Sequence, residues 1–441
     1  MRYPKIPPAE KAQLRAALLD AHSYTQAILG AVEANPTEAL PPRPDCDPLL
    51  WSLGHIAWFQ EKFGLRDGTA TGIENASSLF DPAITRRRAR WEAALPDGTQ
   101  LRAWKSEICD RLIDSIAGDG PASVEDSYFI RLAIQIEDMQ GEALMCARQA
   151  LGLPPPNFGS DDNVPAGAAV TGDVSIPGGI HMQGASSKDP FYMDNEKWGH
   201  GYEVKPFAIA RAPVTNAEYR DFVEDDGYQR EELWSRVGWG WRRHAAAHHP
   251  RFWEKRDGVW VARIFDRVEP LIEDAPVVHV TWYEAEAWCC WAHRRLPWEG
   301  EWEVAAQRVP SPDHDTLHDT LHGIMRRYPW GETEPATERA NMDSRLGGTV
   351  PVSAFPGGDS GYGCRQMAGN VWEWTASAFD AYTGFVADPW ADYSAPYFDG
   401  RHGVLRGGSW ATRDRAAWNS FRGFHPLDRA DAFAGFRTCA V

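Results

Sequence analysis

Four oxygen-bearing side chains crowd one short stretch, "RLAIQIEDMQGEAL" (131–144): Glu137, Asp138, Gln140 and Glu142. Side chains three and four apart on a helix share a face, so this group could hold a cation or relay a proton. It contains no histidine, and an ion held there would meet hard oxygen donors alone. The imidazoles lie elsewhere. His55 sits in "LLWSLGHIAWFQEKF" (49–63), and His22 lies on an earlier helical pattern. His314, His318 and His322 recur at steps of four in "HDTLHDTLHG", and His244, His248 and His249 cluster in "RRHAAAHHP". Histidines four apart can line a helical face and hold zinc, copper or nickel. The competing reading, adopted for both clusters, is a solvated surface segment. His55 has a plain alternative too: a hydrogen-bonded histidine packed in an apolar helix.

Arg86, Arg87, Arg88 and Arg90 put four positive charges into "TRRRARW". Guanidinium forks suit carboxylate or phosphate, although a charge run also makes a solvated face. Seven cysteines at irregular spacing do not read as a disulfide framework, which predicts a reducing, cytoplasmic setting. Cys289 and Cys290 are neighbours on a helical pattern and point apart, while Cys364 and Cys439 stand alone; burial as small hydrophobes is expected.

These groups are carried by two textures. Up to residue 155 the apolar residues recur at three and four, predicting four long helices and an antiparallel bundle. They are "AEKAQLRAALLDAHSYTQAIL", "DPLLWSLGHIAWFQEKFGL", "GTQLRAWKSEICDRLIDSIAG" and "SVEDSYFIRLAIQIEDMQGEALMCARQALG". Residues 156–173 are rich in Pro, Gly and Asp and read as a linker. From 174 to 441 the chain is loop-rich and holds most of the 21 tryptophans, predicting aromatic packing around short strands. Two helices stand out there, "TNAEYRDFVED" with Thr215 as N-cap, and "TWYEAEAWCCWAHRR". The formal charge of −17 argues against a nucleic-acid binder, and no apolar run reads as a secretory signal or bilayer span.

Seven stretches fall in a fixed order: "IPGGIHMQG", "FAIARAPVTNAEYRDFV", "PVVHVTWYEAEAWCCWAHRRLPWEGEWEVAA", "YPWGE", "GYGCRQMAGNVWEWTASAF", "VLRGGSW" and "FAGFRTCA". Together they resemble the formylglycine-generating-enzyme (sulfatase-modifying-factor) domain, a C-type-lectin-like α+β fold. The segment around His55 resembles the second helix of a DinB-type four-helix bundle. A bundle followed by that domain is similar to the EgtB-type sulfoxide synthases of ergothioneine biosynthesis and their selenoneine relatives. "LFDPAITRRRARW" and "YFIRLAIQIEDMQGEAL" look closest to the selenoneine-synthase-like branch.

The resemblance implies an oxidoreductase that joins sulfur or selenium to imidazole C2 of hercynine. Its partners would be hercynine, a thiol or selenol donor and O2, with Fe(II) held by three histidines between the bundle and the second domain. One ligand position is His55. The others belong to a His-x3-His-x-Glu pattern, matched here by Ile136 and Gln140, with Glu142 retained. Ile136 has no lone pair, and Gln140 offers only a neutral carbonyl oxygen. Three readings follow: a site rebuilt from His55 with oxygen donors such as Gln140 and Glu142; a betaine-binding protein without iron; or a metal held elsewhere. The resemblance also makes Tyr382 a proton donor, with aromatic packing as its alternative. Phe424 and His425 would line the betaine pocket, where Gly423 takes an asparagine position. Arg87 and Arg90 would hold a donor carboxylate, and Asn370 with Glu373 would mark a structural calcium. As a function, a formylglycine-generating oxidase is a further alternative, disfavoured by the cysteines.

Overall fold

The computed structural model describes residues 3–30, 42–43, 45–66, 68, 72–159, 163–309 and 326–441. His314, His318 and His322 lie outside the described residues.

The chain divides into two compact units. The first takes Met1–Phe158 with two later segments, Ser187–Tyr192 and Asp388–Asp392. Its long helices are α1 (Lys11–Gly30), α2 (Leu49–Phe59), α5 (Gly98–Ser115) and α6 (Val124–Leu151), with short α3 (Ala76–Phe80) and α4 (Arg87–Glu92) between the second and third of them. α1 packs on α5 and α6, and α2 packs on the same pair, which closes a four-helix bundle. Local chemistry sets the ends. Asp97 and Gln100 form a capping box on α5, while Ser123 caps α6, which stops at left-handed Gly152. The N-cap of α2 is Pro48, without a side-chain bond. The period carried α2 to Leu65, but Gln60–Leu65 winds as a π-helix. That turn swings Gln60 inward, where its Nε2 donates to Glu137 at 2.7 Å and to the Ala133 carbonyl at 3.3 Å. The two later segments join through side chains: Phe191 meets Tyr128, and Trp390 sits 4.7 Å from Phe59.

The second unit takes Gly159–Ser186, Met193–Ala387 and Tyr393–Val441. Its strands are β1 (Asp173–Ile176), β2 (Gly179–Gln183), β3 (His200–Val204), β4 (Phe207–Ala210), β5 (Trp253–Arg256), β6 (Val259–Ile264) and β7 (Arg267–Pro270). There follow β8 (Arg294–Arg295), β9 (Trp372–Ala378), β10 (His402–Arg406), β11 (Gly423–Pro426), β12 (Ala434–Gly435) and β13 (Cys439–Ala440). They form sheets ordered β1-β4-β13-β8 and β11-β10-β9-β12, a β2-β3 hairpin and a β5-β6-β7 meander. The helices are α7 (Asn216–Glu224), α8 (Arg236–Ala245), α9 (Trp282–Trp291) and α10 (Glu299–Gln307). Thr215 caps α7 as its sequence suggests, and Thr281 caps α9 in the same way. Ile209, Trp302, Ala305, Met367 and Cys439 belong to the apolar core. Arg437 crosses to Glu373 with two 2.6 Å contacts, and Trp302 Nε1 donates to the same carboxylate at 2.7 Å. All seven cysteines are free thiols; Cys289 is buried and Cys290 exposed, as their adjacency on α9 requires. No described helix is long and apolar enough to cross a membrane.

Gly54 lies inside α2, where alanine would gain about 1 kcal/mol of helix propensity. A Cβ there would stand 2.1 Å from the Phe80 ring, and overpacking of that kind costs about 1–3 kcal/mol. Gly54→Ala is therefore expected to lower the urea midpoint; a raised midpoint would show that propensity outweighs the clash.

Candidate functional site

His55 is reached through Gly54. The missing side chain lets Phe80 press against α2, and the Phe80 carbonyl then receives His55 Nδ1 at 2.9 Å. A carbonyl only accepts, so Nδ1 carries the hydrogen and Nε2 the lone pair. Two tryptophans stack with the ring. Trp51 stacks at 5.1 Å and 7°, and Trp58 at 5.6 Å and 26°. Each tryptophan has a cation over it: Arg90 lies 3.8 Å from the Trp51 ring centre and Lys62 lies 4.5 Å from that of Trp58. Residues 51, 55, 58 and 62 follow the helical repeat, so one face of α2 and its π extension builds the column. Trp390 stands 6.5 Å from the imidazole. Burial lowers the His55 pKa to about 4, so the ring is neutral at pH 7.

A neutral, fixed imidazole with Nε2 free of the Nδ1 bond is what a metal ligand needs, but the rest of an iron set is missing. Ile136 is buried and offers no donor. Gln140 and Glu142 are half-buried on α6. Glu137 is spent on an internal ion pair, its Oε1 lying 3.1 Å from Lys105 Nζ. Among the described residues no group of three or more His, Cys, Asp or Glu is placed to hold a metal. The residues present do not fit a three-histidine iron centre. Nor do the expected calcium residues fit an ion. Asn370 Oδ1 accepts from Asn341 and Val350, its Nδ2 donates to Val350 and Gln366, and Glu373 is bound by Arg437 and Trp302.

The other candidates are placed as follows. Arg90 bonds Asp47 at 2.7 Å and the Thr85 carbonyl, and Arg87 approaches Asp47 at 3.5 Å, so both tie the α2 entry to α4. His22 accepts from Lys105 at 3.1 Å, and its pKa is lowered by burial and then by that ammonium. His248 meets Gln229 and Arg242, while His249 Nδ1 donates to its neighbour's carbonyl. His244 is exposed.

In the second unit Tyr382 is buried, and its hydroxyl donates to Glu299 at 3.4 Å. Arg422 lies 4.1 Å from the Tyr382 ring centre and grips both Glu299 oxygens, at 2.9 and 3.0 Å. His200 meets the same ring edge-on at 4.7 Å. Burial holds the phenol pKa well above its ordinary value, so the proton stays on the oxygen. Phe424 stacks on Phe379 at 4.1 Å, which occupies one of its faces, and lies beside Tyr393 and Tyr397. His425 accepts from Arg429, which is itself held by Asp431. Glu299, Arg422, Trp390 and Lys105 were missed by sequence reasoning. For Lys105 a signal existed: it interrupts the buried stripe Leu101, Trp104, Ile108, Leu112 of α5.

Residues 160–440 match the sulfatase-modifying factor enzyme 1-like domain. Hercynine oxygenase of Mycolicibacterium smegmatis is 35% identical over 408 residues, 89% of this chain and 91% of that one. The Mycobacterium tuberculosis hercynine oxygenase is 36% identical over 406 residues, with coverages of 89% and 91%. That of Mycolicibacterium thermoresistibile is 35% identical over 441 residues, 97% and 94% of the two chains. Fold and matches together define a helical bundle joined to a sulfatase-modifying-factor domain. The chain belongs to the EgtB-type family of the hercynine oxygenases.

A histidine held neutral binds fewer protons folded than unfolded, so its contribution is complete above pH 6.5 and is lost as pH falls toward 4. His181 and His279, lowered by burial to about 4 and about 3, act alike. Glu196 and Glu284, raised by burial to about 7, act oppositely, losing stability as pH rises from 4.5. Only a difference isolates His55. The stability advantage of wild type over His55→Phe should shrink by about 3 kcal/mol between pH 7 and pH 4, measured by urea unfolding. A pH-independent advantage would mean that the ring titrates in the fold as it does in the unfolded chain.

Proposed function

We propose that this chain acts on hercynine or a closely similar imidazole betaine, joining sulfur or selenium to ring C2 with O2 as oxidant. The donor would be a thiol or selenol, and the selenoneine-synthase-like branch is the placement the motifs favour. The observation that carries the reading is similarity to hercynine oxygenases over about nine tenths of both chains, both structural units included.

The residues supply part of what such chemistry asks. Tyr382 keeps its proton, aimed at Glu299 and fixed from above by Arg422, which suits a general acid that releases a proton only to a strong acceptor. The Phe424, Tyr393 and Tyr397 rings supply aromatic surface of the kind a trimethylammonium group favours. Fe(II) is the metal this reaction class implies, and the histidine set present does not fit it. Free thiols throughout accord with a cytoplasmic setting as part of the same proposal.

Calorimetry with hercynine tests the ligand, and mass spectrometry after incubation with O2 and a thiol or selenol, with and without Fe(II), tests the reaction. Binding is expected below about 1 mM, with a hercynine-derived product. Tyr382→Phe should keep the binding heat and lower product formation about 100-fold or more. No heat of binding would refute the substrate; binding without product under any metal condition would leave a betaine-binding protein.

A further inference from the structure

The departure at Ile136 and Gln140 is matched by an arrangement in the bundle core. Lys105 on α5 is fully buried. Its Nζ lies 3.1 Å from Glu137 Oε1 on α6 and 3.1 Å from His22 Nδ1 on α1. Glu137 Oε2 takes the Gln60 amide from the π turn after α2 at 2.7 Å. Every long helical segment of the unit thus contributes one member to a single polar knot. An ammonium and a carboxylate withdrawn from water must be matched in charge, and these two match each other.

We infer that Lys105 is the cation around which the helical unit is organised, and that the α2–α6 face takes up no divalent metal. Three observations converge. The carboxylate adjoining the expected ligand position, Glu137, is already neutralised from inside the bundle. The position itself is the buried alkyl group of Ile136. The one imidazole, His55, is stacked with two tryptophans and held by a carbonyl, so it packs the helix without any ion. A divalent ion on that face would gain one imidazole and meet an alkyl group where a second is expected. The inference goes beyond the substrate proposal and is read from occupancy and unfolding, so either can fail without the other.

The experiment is anaerobic titration of the full chain with Fe(II) and with Co(II), comparing wild type with His55→Phe, whose ring can keep the tryptophan stack. After desalting, the two should differ by less than about a tenth of an equivalent, and EDTA should leave the wild-type Tm in place. An equivalent held by wild type and lost in His55→Phe overturns the inference. For the cation, Lys105→Met should lower Tm by about 10 °C or abolish folding, since it strands Glu137. Lys105→Met/Glu137→Leu, which removes both charges, should return to within a few degrees of wild type with no metal added. A single variant with unchanged Tm, or a double variant that folds only with metal, overturns it as well.

Discussion

A charge taken out of water must meet its opposite, and this constraint shapes both units. In the second, Arg406 meets Glu303 at 2.5 Å, Arg422 meets Glu299, and Arg437 meets Glu373, with all three guanidinium groups buried. In the first, Lys105 meets Glu137. Stranding one member of such a pair costs about 3–5 kcal/mol, whereas a well-packed apolar pair would serve stability as well. The pairs therefore say more about specificity than about strength. Each joins segments far apart in sequence, and a wrong register would leave a charge alone.

That logic bears on the candidate site. Tyr382 is held by the Arg422–Glu299 pair, so the same contact that closes the fold also fixes the phenol. His55 is held without any charge partner, by a carbonyl and two indoles. The two groups singled out by family likeness thus rest on different physics. One depends on electrostatic neutrality, the other on the room that Gly54 leaves for Phe80.

Sequence patterns revealed the bundle because amphipathic repeats and caps are local, and the motif order revealed the second unit. What stayed hidden depends on partners distant in the chain. The arginine run looked open to ligand because Asp47, some forty residues upstream, was not visible as its partner. Asn370 and Glu373 looked like ion ligands because their hydrogen bonds to Val350 and Arg437 are tertiary. The π turn at Gln60 breaks no helical period, so nothing local announced it. The linker reading, with a boundary near residue 155, could not foresee that Ser187–Tyr192 and Asp388–Asp392 belong to the helical unit.

Those borrowed segments give synthesis a timetable. The bundle helices leave the ribosome first, yet the indole that covers Phe59 belongs to residue 390. Until then Phe59 and the nearby His55 ring lack that cover, a sticky surface on a half-made chain. The amino-terminal unit is thus finished only when the carboxy-terminal one nearly is, and a fragment cut at the linker would lack part of its own wall.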